Sequence, residues 1–306
     1  MTPLLRIGTR GSPLALAQTI ALRDALARAH DVAPETFAVV AIRTTGDSIT
    51  DRPLGEVGGK GLFTKELDVA LIEGRIDLAV HSAKDLPTHP PPELQVAGYT
   101  KREDVRDALV STKAATLAGL PHRAIVGTAS LRRAAQVRRL RPDIQTTLLR
   151  GNVETRLRRA ESGEIDATLL ALAGLKRLGL AHRATALLGV DDFLPAVGQG
   201  ALAVTTRRDD EAVMAALAPI LCAETGLALA AERAFLAVLD GSCRTPIAGL
   251  ARVEGDAIAI RGMVLRADGS ETFTASRAGP VADAAQIGAD AGAEILQRLP
   301  PGVLES

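Results

Sequence analysis

The sequence predicts an α/β protein made of two lobes, followed by a smaller α+β domain. Short β-branched runs alternate with helical periodicity through most of the 306 residues, which is typical of sheets covered by helices. Two flexible passages, Lys101–Asp104 and Pro195–Gly200, divide this alternation. We therefore expect the chain to cross from one lobe to the other and back, which makes a double hinge with a binding cleft between the lobes.

The first lobe is predicted to comprise residues 1–100 and 201–218. A strand over Leu4–Gly8 leads into a helix over Pro13–Ala29, because Ser12 is a favourable N-cap and proline is favourable at the first helical position. The elements predicted after it are a strand at Phe37–Arg43, a helix at Thr64–Glu73, and strands at Ile76–Val80, Leu94–Tyr99 and Ala201–Thr206.

The second lobe is predicted over residues 106–194 and the α+β domain over residues 223–306. The β-branched runs and helical periods of the second lobe place strands at Ala124–Val126, Ile144–Leu149 and Ala167–Leu172, with helices beginning near Ser130, Val153 and Gly174. The same patterns in the last domain place an amphipathic helix from Ala223, strands at Ile247–Val253, Ala257–Leu265 and Thr272–Ser276, and a helix at Val281–Leu299.

Composition narrows the class of protein. The chain is 47% hydrophobic and 24% charged, and Arg6 and Arg10 interrupt the apolar residues near its start. We therefore expect a soluble protein with no signal peptide and no membrane span, and the cytoplasm as its location. Its two cysteines, Cys222 and Cys243, are then free thiols, and the five histidines fall into no metal-binding spacing with them.

Two further features disfavour nucleic acid and a second copy of the chain as partners. The chain has one Tyr, five Phe, no Trp and a net charge of zero, so it lacks both the stacking side chains and the basic field of nucleic-acid binders. It also lacks a long heptad pattern or a large apolar stripe, which favours a monomer.

Arginines are concentrated in one segment. Residues 123–159 contain ten arginines, no lysine and only two acids. Arginine grips carboxylate or phosphate with two parallel hydrogen bonds, so the segment indicates an anionic ligand. Strand ends and helix N-termini are where α/β sheets bind anions, and Arg132, Arg133, Arg150 and Arg156 follow predicted strand ends. The alternative for any single arginine is a solvated helix face.

Three other loops carry candidate chemistry. The glycine-rich loop Val57–Phe63 fails as a nucleotide-binding loop, because Leu54 and Gly61 stand where Gly and Ser or Thr are needed. It is better interpreted as a mobile loop, with Lys60 either solvated or lending charge to a ligand. Asp85 follows a predicted strand and is either a salt-bridge partner of a neighbouring lysine or a proton donor and counter-ion.

The third loop contains a cysteine. Cys243 lies in a tight turn between a predicted helix and strand, where its thiol should be accessible. Cys222 has apolar neighbours and is interpreted as a small buried hydrophobic residue.

Nine separated motifs run in order over nearly the whole chain: Thr9–Gln18, Thr45–Asp47, Val57–Phe63, His81–Pro87, Gly127–Arg133, Leu149–Arg156, Ala173–Arg177, Ala196–Gly200 and Gly241–Cys243. Together they resemble the porphobilinogen deaminase family, whose members are also called hydroxymethylbilane synthases. The resemblance implies three domains, of which the first two fold like a type II periplasmic binding protein.

The resemblance also implies a function. It implies an enzyme of tetrapyrrole and haem biosynthesis, with a dipyrromethane cofactor attached by a thioether to Cys243. The enzyme condenses four porphobilinogen molecules head to tail, releases ammonia at each step and hydrolyses off hydroxymethylbilane. Each pyrrole brings carboxylates, which forked arginines suit.

Residue roles follow from the resemblance. Asp85 is expected to be catalytic, by stabilising cationic pyrroles. The residues expected to bind the cofactor are Lys84, Asp85, Thr128, Ser130, Arg132, Arg133, Arg150, Gly151, Arg156, Gly174, Gln199 and Gly200. The residues expected to bind substrate are Arg10, Ser12, Gln18, Lys60, Phe63, Ser82, Arg150, Arg156 and Arg177.

Two positions depart from the family pattern. Ser242 stands where glycine is commoner, and Glu56 stands where some members have lysine. A rival from another class is a non-catalytic, two-lobed cytoplasmic protein that binds a polycarboxylate, in which Asp85 is a salt-bridge partner and Cys243 a spare thiol.

Overall fold

The computed structural model describes residues 4–48, 61–240 and 245–304, which form two compact units. The first unit contains residues 4–48, 61–103 and 201–226, and the second contains the rest. The predicted second lobe and most of the predicted α+β domain therefore lie in one unit. Their separation into two domains stays a prediction.

The first unit begins with alternating strands and helices: β1 (Leu5–Arg10), α1 (Pro13–Ala29), β2 (Phe37–Ile42), α2 (Thr45–Ser48), α3 (Lys65–Ile72), β3 (Leu78–Ser82) and β4 (Leu94–Tyr99). Helix α1 begins as predicted, because Ser12 Oγ accepts the Ala15 N–H at 3.3 Å and Pro13 occupies the first turn.

The second unit continues the alternation with β5 (Asp107–Ser111), β6 (Ile125–Gly127), α4 (Leu131–Leu140), β7 (Gln145–Thr147), α5 (Val153–Glu161), β8 (Ala167–Ala171), α6 (Leu172–Arg177) and β9 (Ala186–Leu187). The strand order is β7-β6-β8-β5-β9. Strand β6 is parallel to β7 and β8, so these three strands end at the same edge of the sheet. Two strands of this sheet were not predicted: β5, a short run that begins with an acid, and β9, which has only two residues.

The chain then returns to the first unit with β10 (Leu202–Arg207) and α7 (Glu211–Leu217). The sheet order there is β2-β1-β3-β10-β4, with β10 antiparallel to both of its neighbours. One face of this sheet packs on apolar residues of α1, including Leu22 and Leu26, and the other on Leu67 and Leu71 of α3. These two helix-covered sheets confirm the predicted α/β class.

The remaining elements are α8 (Ala223–Val238), β11 (Ile247–Glu254), β12 (Ala257–Leu265), β13 (Thr272–Pro280) and α9 (Ala284–Arg298). The three strands form an antiparallel sheet. Gly249 lies opposite Gly262 in this sheet, and a Cβ added at Gly262 would lie 2.3 Å from the ring of Phe235. The absence of side chains at this pair therefore makes room for the fully buried Phe235 at the centre of the core.

In the part of the chain that the structure describes, no single helix is long and apolar enough to cross a membrane. The segments Glu211–Ile220 and Ala223–Val238 pass that test only when the two parts of the bent pair are taken together.

Helices α8 and α9 pack with their backbones almost in contact. A Cβ added at Gly288 would lie 2.0 Å from the carbonyl oxygen of Ala231, and one added at Gly292 would lie 2.9 Å from the carbonyl oxygen of Phe235. Backbone atoms cannot rotate aside as the end of a side chain can. The spacing between the two helices therefore depends on glycine at these positions.

We expect Gly288→Ala to lower the free energy of unfolding by at least about 2 kcal/mol, because the added methyl group must push α9 away from α8. Gly226→Ala is the matched control in α8. Among the described residues, its added Cβ meets no atom within 4 Å, and alanine is the better helix former. Urea denaturation followed by circular dichroism measures both, and equal midpoints for the two variants would contradict the packing argument.

Candidate active site

The first group of predicted site residues lies at one edge of the first sheet. Strands β1 and β3 are parallel neighbours, so their carboxyl ends meet at the same edge. Arg10 is the last residue of β1, and Ser82 is the last residue of β3. A single helical turn, Ala83–Asp85, follows Ser82 directly and carries Lys84 and Asp85.

Asp85 lies beside Arg10 and is partly open to solvent. The distance from Arg10 Nη1 to Asp85 Oδ2 is 4.0 Å, and the two side chains are 21% and 31% exposed. The Arg10 guanidinium also stacks over the ring of Phe63, 4.1 Å from its centre. An ion pair this long and this exposed contributes at most about 1 kcal/mol. The Asp85 carboxylate can therefore turn to a cationic ligand at little cost.

Polar residues beneath this edge hold one another in place. Gln18, buried in α1, donates from Nε2 to Ser82 Oγ at 3.1 Å. The Ser12 hydroxyl accepts the Ala15 N–H in the first turn of α1. In the structure, Ser12, Gln18 and Ser82 thus support the edge on which Arg10 and Asp85 lie.

His81 is a buried titratable group immediately before Ser82. Its Nε2 lies 2.9 Å from Thr205 Oγ1. Burial, and to a lesser extent the positive charge of Arg10, lowers the pKa of His81 to about 4. At neutral pH the imidazole is therefore uncharged and adds no positive charge next to Arg10.

The second group of predicted residues centres on a buried ion triad in the second unit. Arg133 Nη2 lies 2.6 Å from Asp107 Oδ1, and Arg132 Nη2 lies 2.8 Å from Asp107 Oδ2. Asp107 is completely buried, and both arginines are at least 95% buried. Burial alone raises the pKa of Asp107, but the charges and hydrogen bonds of Arg132 and Arg133 outweigh burial and hold that pKa well below its usual range.

The triad keeps one net positive charge, because one carboxylate faces two guanidinium groups. Arg132 and Arg133 also donate to the backbone carbonyls of Leu194 at 2.7 Å and Leu169 at 3.0 Å. Within the described residues, Arg132 Nε is buried with no hydrogen-bond partner. A buried cation with an unused donor favours an additional anion.

Thr128 and Ser130 lie beside this triad in the chain. Ser130 caps α4 by accepting the Arg133 N–H at 3.4 Å, and Thr128 Oγ1 accepts the Ser130 N–H at 3.1 Å. These contacts hold the turn between the end of β6 and the N-terminus of α4. Anion binding at this turn stays a prediction.

Gln199 joins the passage at 195–200 to Asp107, and Arg177 binds the last residue of that passage. Gln199 is completely buried and donates from Nε2 to Asp107 Oδ1 at 3.1 Å and to the Val105 carbonyl at 2.8 Å. Arg177 donates from Nη2 to the Gly200 carbonyl at 2.6 Å, and Gly174 is buried one turn earlier in α6. The structure therefore groups Gln199 with the triad and Gly200 with Arg177.

Arg150, Gly151 and Arg156 lie at the turn into α5. Gly151 has φ +111°, and a Cβ there would lie 2.9 Å from Thr155 Cγ2, so glycine is required. Arg156 Nε donates to the Gly151 carbonyl at 2.9 Å, and Asn152 caps the helix by accepting the Thr155 N–H at 2.8 Å. Arg150 and Arg156 remain partly exposed, as a ligand-binding role requires.

Other arginines of the segment bind the protein itself. Arg138 donates to the Ala267 carbonyl at 2.7 Å, and Arg139 donates to the Asp192 carbonyl at 2.6 Å. Arg141 pairs with Asp143 at 2.7 Å and donates to four backbone carbonyls, which belong to Leu117, Ala118, Leu120 and Pro121. The number of arginines therefore overstates the anion-binding capacity of this segment.

Sequence reasoning missed Asp107. The available signal was an acid at the start of an otherwise apolar run, in the same predicted lobe as the adjacent arginines Arg132 and Arg133. Lys60 and Cys243 lie outside the described residues, as do Glu56 and Ser242. Cys222 is half-buried rather than buried as predicted, because it lies in the connection between α7 and α8.

This arrangement defines an α/β protein with clustered cations at the carboxyl ends of parallel strands, where proteins of this class bind anionic ligands. Two family models match the chain: "Porphobilinogen deaminase, dipyromethane cofactor binding domain" over residues 5–215 and "Porphobilinogen deaminase, C-terminal domain" over residues 227–297. The chain belongs to the porphobilinogen deaminase family.

Curated relatives agree over nearly the full length. The chain is 59% identical to porphobilinogen deaminase of Nitrobacter hamburgensis, over 96% of this chain and 93% of the relative. It is 52% identical to that of Paracoccus denitrificans, over 97% of this chain and 95% of the relative. Among solved structures, an ABC transporter periplasmic substrate-binding protein from Coxiella burnetii is 14% identical, with a TM-score of 0.45 over 71% of this chain and 92% of that one.

We expect Asp107→Asn to lower the free energy of unfolding by roughly 3 to 5 kcal/mol, because it leaves two buried guanidinium groups without a counter-charge. Glu73→Gln is the control, since the Glu73–Arg75 pair is more than half exposed and contributes less than about 1 kcal/mol. Chemical denaturation at pH 7 compares the two, and a wild-type midpoint for Asp107→Asn would exclude the triad as a stabilising centre.

We expect stability to fall as the pH is lowered from about 6.5 towards 4, by roughly 3 kcal/mol from His81 alone. The unfolded chain binds a proton at His81 near pH 6.5, whereas the native chain binds it only near pH 4, so acid favours unfolding. Urea denaturation at several pH values should show a smaller loss for His81→Asn in this window. If the free energy of unfolding fell with pH in the same way in the wild-type protein and in His81→Asn, His81 would not be the responsible group.

Proposed function

We propose that this protein joins four porphobilinogen molecules head to tail and releases hydroxymethylbilane, as a transferase of tetrapyrrole and haem biosynthesis. The observation that carries the proposal is family membership over nearly the full chain, together with forked cations at the predicted positions. We also propose a cytoplasmic monomer that acts on a small molecule, without nucleic acid or membrane as a partner. The family matches disfavour the non-catalytic polycarboxylate-binding protein.

The described residues fit the dipyrromethane cofactor of the family. Its acetate and propionate groups require cationic donors, and the triad offers one net positive charge and the unused Arg132 Nε among the described residues. When bound through Cys243, this group supplies the pyrrole carbon to which the first substrate is joined. The residues that would hold it are Lys84, Asp85, Thr128, Ser130, Arg132, Arg133, Arg150, Gly151, Arg156, Gly174, Gln199 and Gly200.

The chain's own residues would stabilise the reacting cation and bind the substrate. Asp85 would stabilise the cation that porphobilinogen becomes when its carbon–nitrogen bond breaks and ammonia leaves. Its weak contact with Arg10 leaves it able to do so, and Arg10 with Arg150, Arg156 and Arg177 would bind substrate carboxylates. Phe63, held beside Arg10, would cover a pyrrole face.

The proposal is tested by the intact mass of the purified protein. We expect a mass that exceeds the sequence mass by a two-pyrrole group, with a colour reaction to Ehrlich's reagent. Cys243→Ser should lack both and be inactive, because a serine hydroxyl is too weak a nucleophile for the attachment. It should also melt at a lower temperature, since a bound group stabilises only the folded state.

Cys222→Ser is the matched control and should keep the adduct and activity, with a small packing penalty at the half-buried site. An adduct on a peptide containing Cys222, or full activity of Cys243→Ser, would exclude the assignment of the anchor. A wild-type mass equal to the sequence mass would favour the binding protein.

We expect Asp85→Asn to lower kcat by about 10² to 10⁴ while the adduct and the melting temperature change little, because an amide cannot stabilise a cation. Steady-state release of ammonia from porphobilinogen measures kcat. Asp24→Asn, in a partly exposed pair with Arg23, is the control and should turn over normally. Near-normal turnover by Asp85→Asn would remove Asp85 from the mechanism.

A further inference from the structure

A second buried carboxylate lies in the same unit as the triad. Glu232 of α8 has no exposed surface. Its Oε2 accepts the Gly198 N–H at 2.7 Å, and its Oε1 accepts the Ala251 N–H of β11 at 2.8 Å. Burying a carboxylate is costly, and these charge-assisted hydrogen bonds are among the interactions that offset the cost. Glu232 therefore joins the 195–200 passage to the C-terminal sheet.

Neighbouring contacts hold the same passage against that sheet. The Gly249 N–H donates to the Pro195 carbonyl at 3.0 Å, and Val197 is buried among the residues of the C-terminal core. Gly198 has φ +75°, a conformation that glycine adopts without strain. The passage is thus held against the C-terminal sheet and core at three residues, Pro195, Val197 and Gly198.

On its other side, the passage is hydrogen-bonded to the triad through the side chain of Gln199. Gln199 follows Gly198 directly, and its amide reaches Asp107 Oδ1 and the Val105 carbonyl. A connected series therefore runs from Glu232 by a hydrogen bond to Gly198, along the chain to Gln199, and by a second hydrogen bond to Asp107. Asp107 in turn accepts hydrogen bonds from Arg132 and Arg133. All its members belong to the second unit.

We propose that Glu232 is a positioning residue that sets the place of Asp107 between the two arginines through Gly198 and Gln199. The inference rests on the proposed function, because its consequence is the orientation in which Arg132 and Arg133 meet carboxylates of the cofactor. Glutamate suits the position, since its two oxygens accept two backbone N–H groups that point from different elements.

The test compares Glu232→Gln with Gln199→Met and with the double variant. In Glu232→Gln one oxygen is replaced by an NH₂ group, which cannot accept an N–H, so one of the two bonds breaks at unchanged volume. Gln199→Met breaks the far end of the series without touching Glu232. The control is a substitution of Ile260, in the core of the C-terminal sheet. Either Ile260→Val or Ile260→Ala is used, whichever lowers the melting temperature by the same amount as Glu232→Gln.

Hydrogen exchange gives a measurement independent of activity. We expect amide exchange in residues 195–200 and 104–111 to become about tenfold faster in Glu232→Gln, since one charge-assisted hydrogen bond is lost, and to stay unchanged in the Ile260 control. The proposal would be overturned if Glu232→Gln and the Ile260 control lost amide protection equally, or if Glu232→Gln lost it only around residue 251. If Glu232→Gln does not fold, Gln199→Met should still speed exchange in residues 104–111, and unchanged exchange there would overturn it equally.

Kinetics of the holoenzymes give the second measurement. We expect kcat to fall about tenfold in each single variant and no further in the double variant, because both break the same series. Independent losses, about a hundredfold in the double variant, would overturn the proposal. An inactive wild-type protein without the pyrrole adduct would instead reject the proposed function, while the exchange data would still decide whether Glu232 holds Asp107.

Discussion

The ion triad of Asp107, Arg132 and Arg133 is the interaction on which the second unit depends. It joins the first residue of β5 to the first turn of α4, and it receives the side chain of Gln199 from the 195–200 passage. Three segments far apart in sequence thus meet at one buried carboxylate. A buried ion triad tolerates little change in geometry. A charge that moves away from its counter-ion inside the protein loses that partner without regaining contact with water. The geometry of the triad is therefore fixed by contacts within the second unit itself.

Arginine has two different uses in this chain. At Arg138, Arg139 and Arg141 the guanidinium binds backbone carbonyls and closes the unit internally. At Arg150 and Arg156 it stays partly exposed at the start of a helix. Both uses exploit the same planar array of donors, which explains why lysine is absent from the segment. A single residue type therefore closes the unit internally and also leaves guanidinium groups at the surface, where we propose that they bind carboxylates.

Much of the fold and part of the site follow from sequence. The alternation of strands and helices and the Ser12 and Ser130 caps depend on local patterns, which a sequence displays directly. The return of β10 to the first sheet was predicted from the two passages that divide the alternation. Strand β5 was missed because burial, and not a local preference, makes Asp107-Ala-Leu-Val-Ser111 a strand. The contacts of Asp107, Gln199 and Glu232 were missed for a related reason, since each joins segments whose proximity only the tertiary structure creates.

The position of α4 has a consequence for how the chain is made. One side of this helix packs through Val137 on its own sheet, and the other packs through Ala135 on Leu250 and Met263 of the C-terminal strands. The ribosome delivers those strands long after α4, so the outer side of the helix stays uncovered while the intervening chain is synthesised. Uncovered apolar surface of this kind promotes aggregation. The packing of the second unit is therefore completed only when β12 has been made, and its last-made sheet covers the outer side of α4.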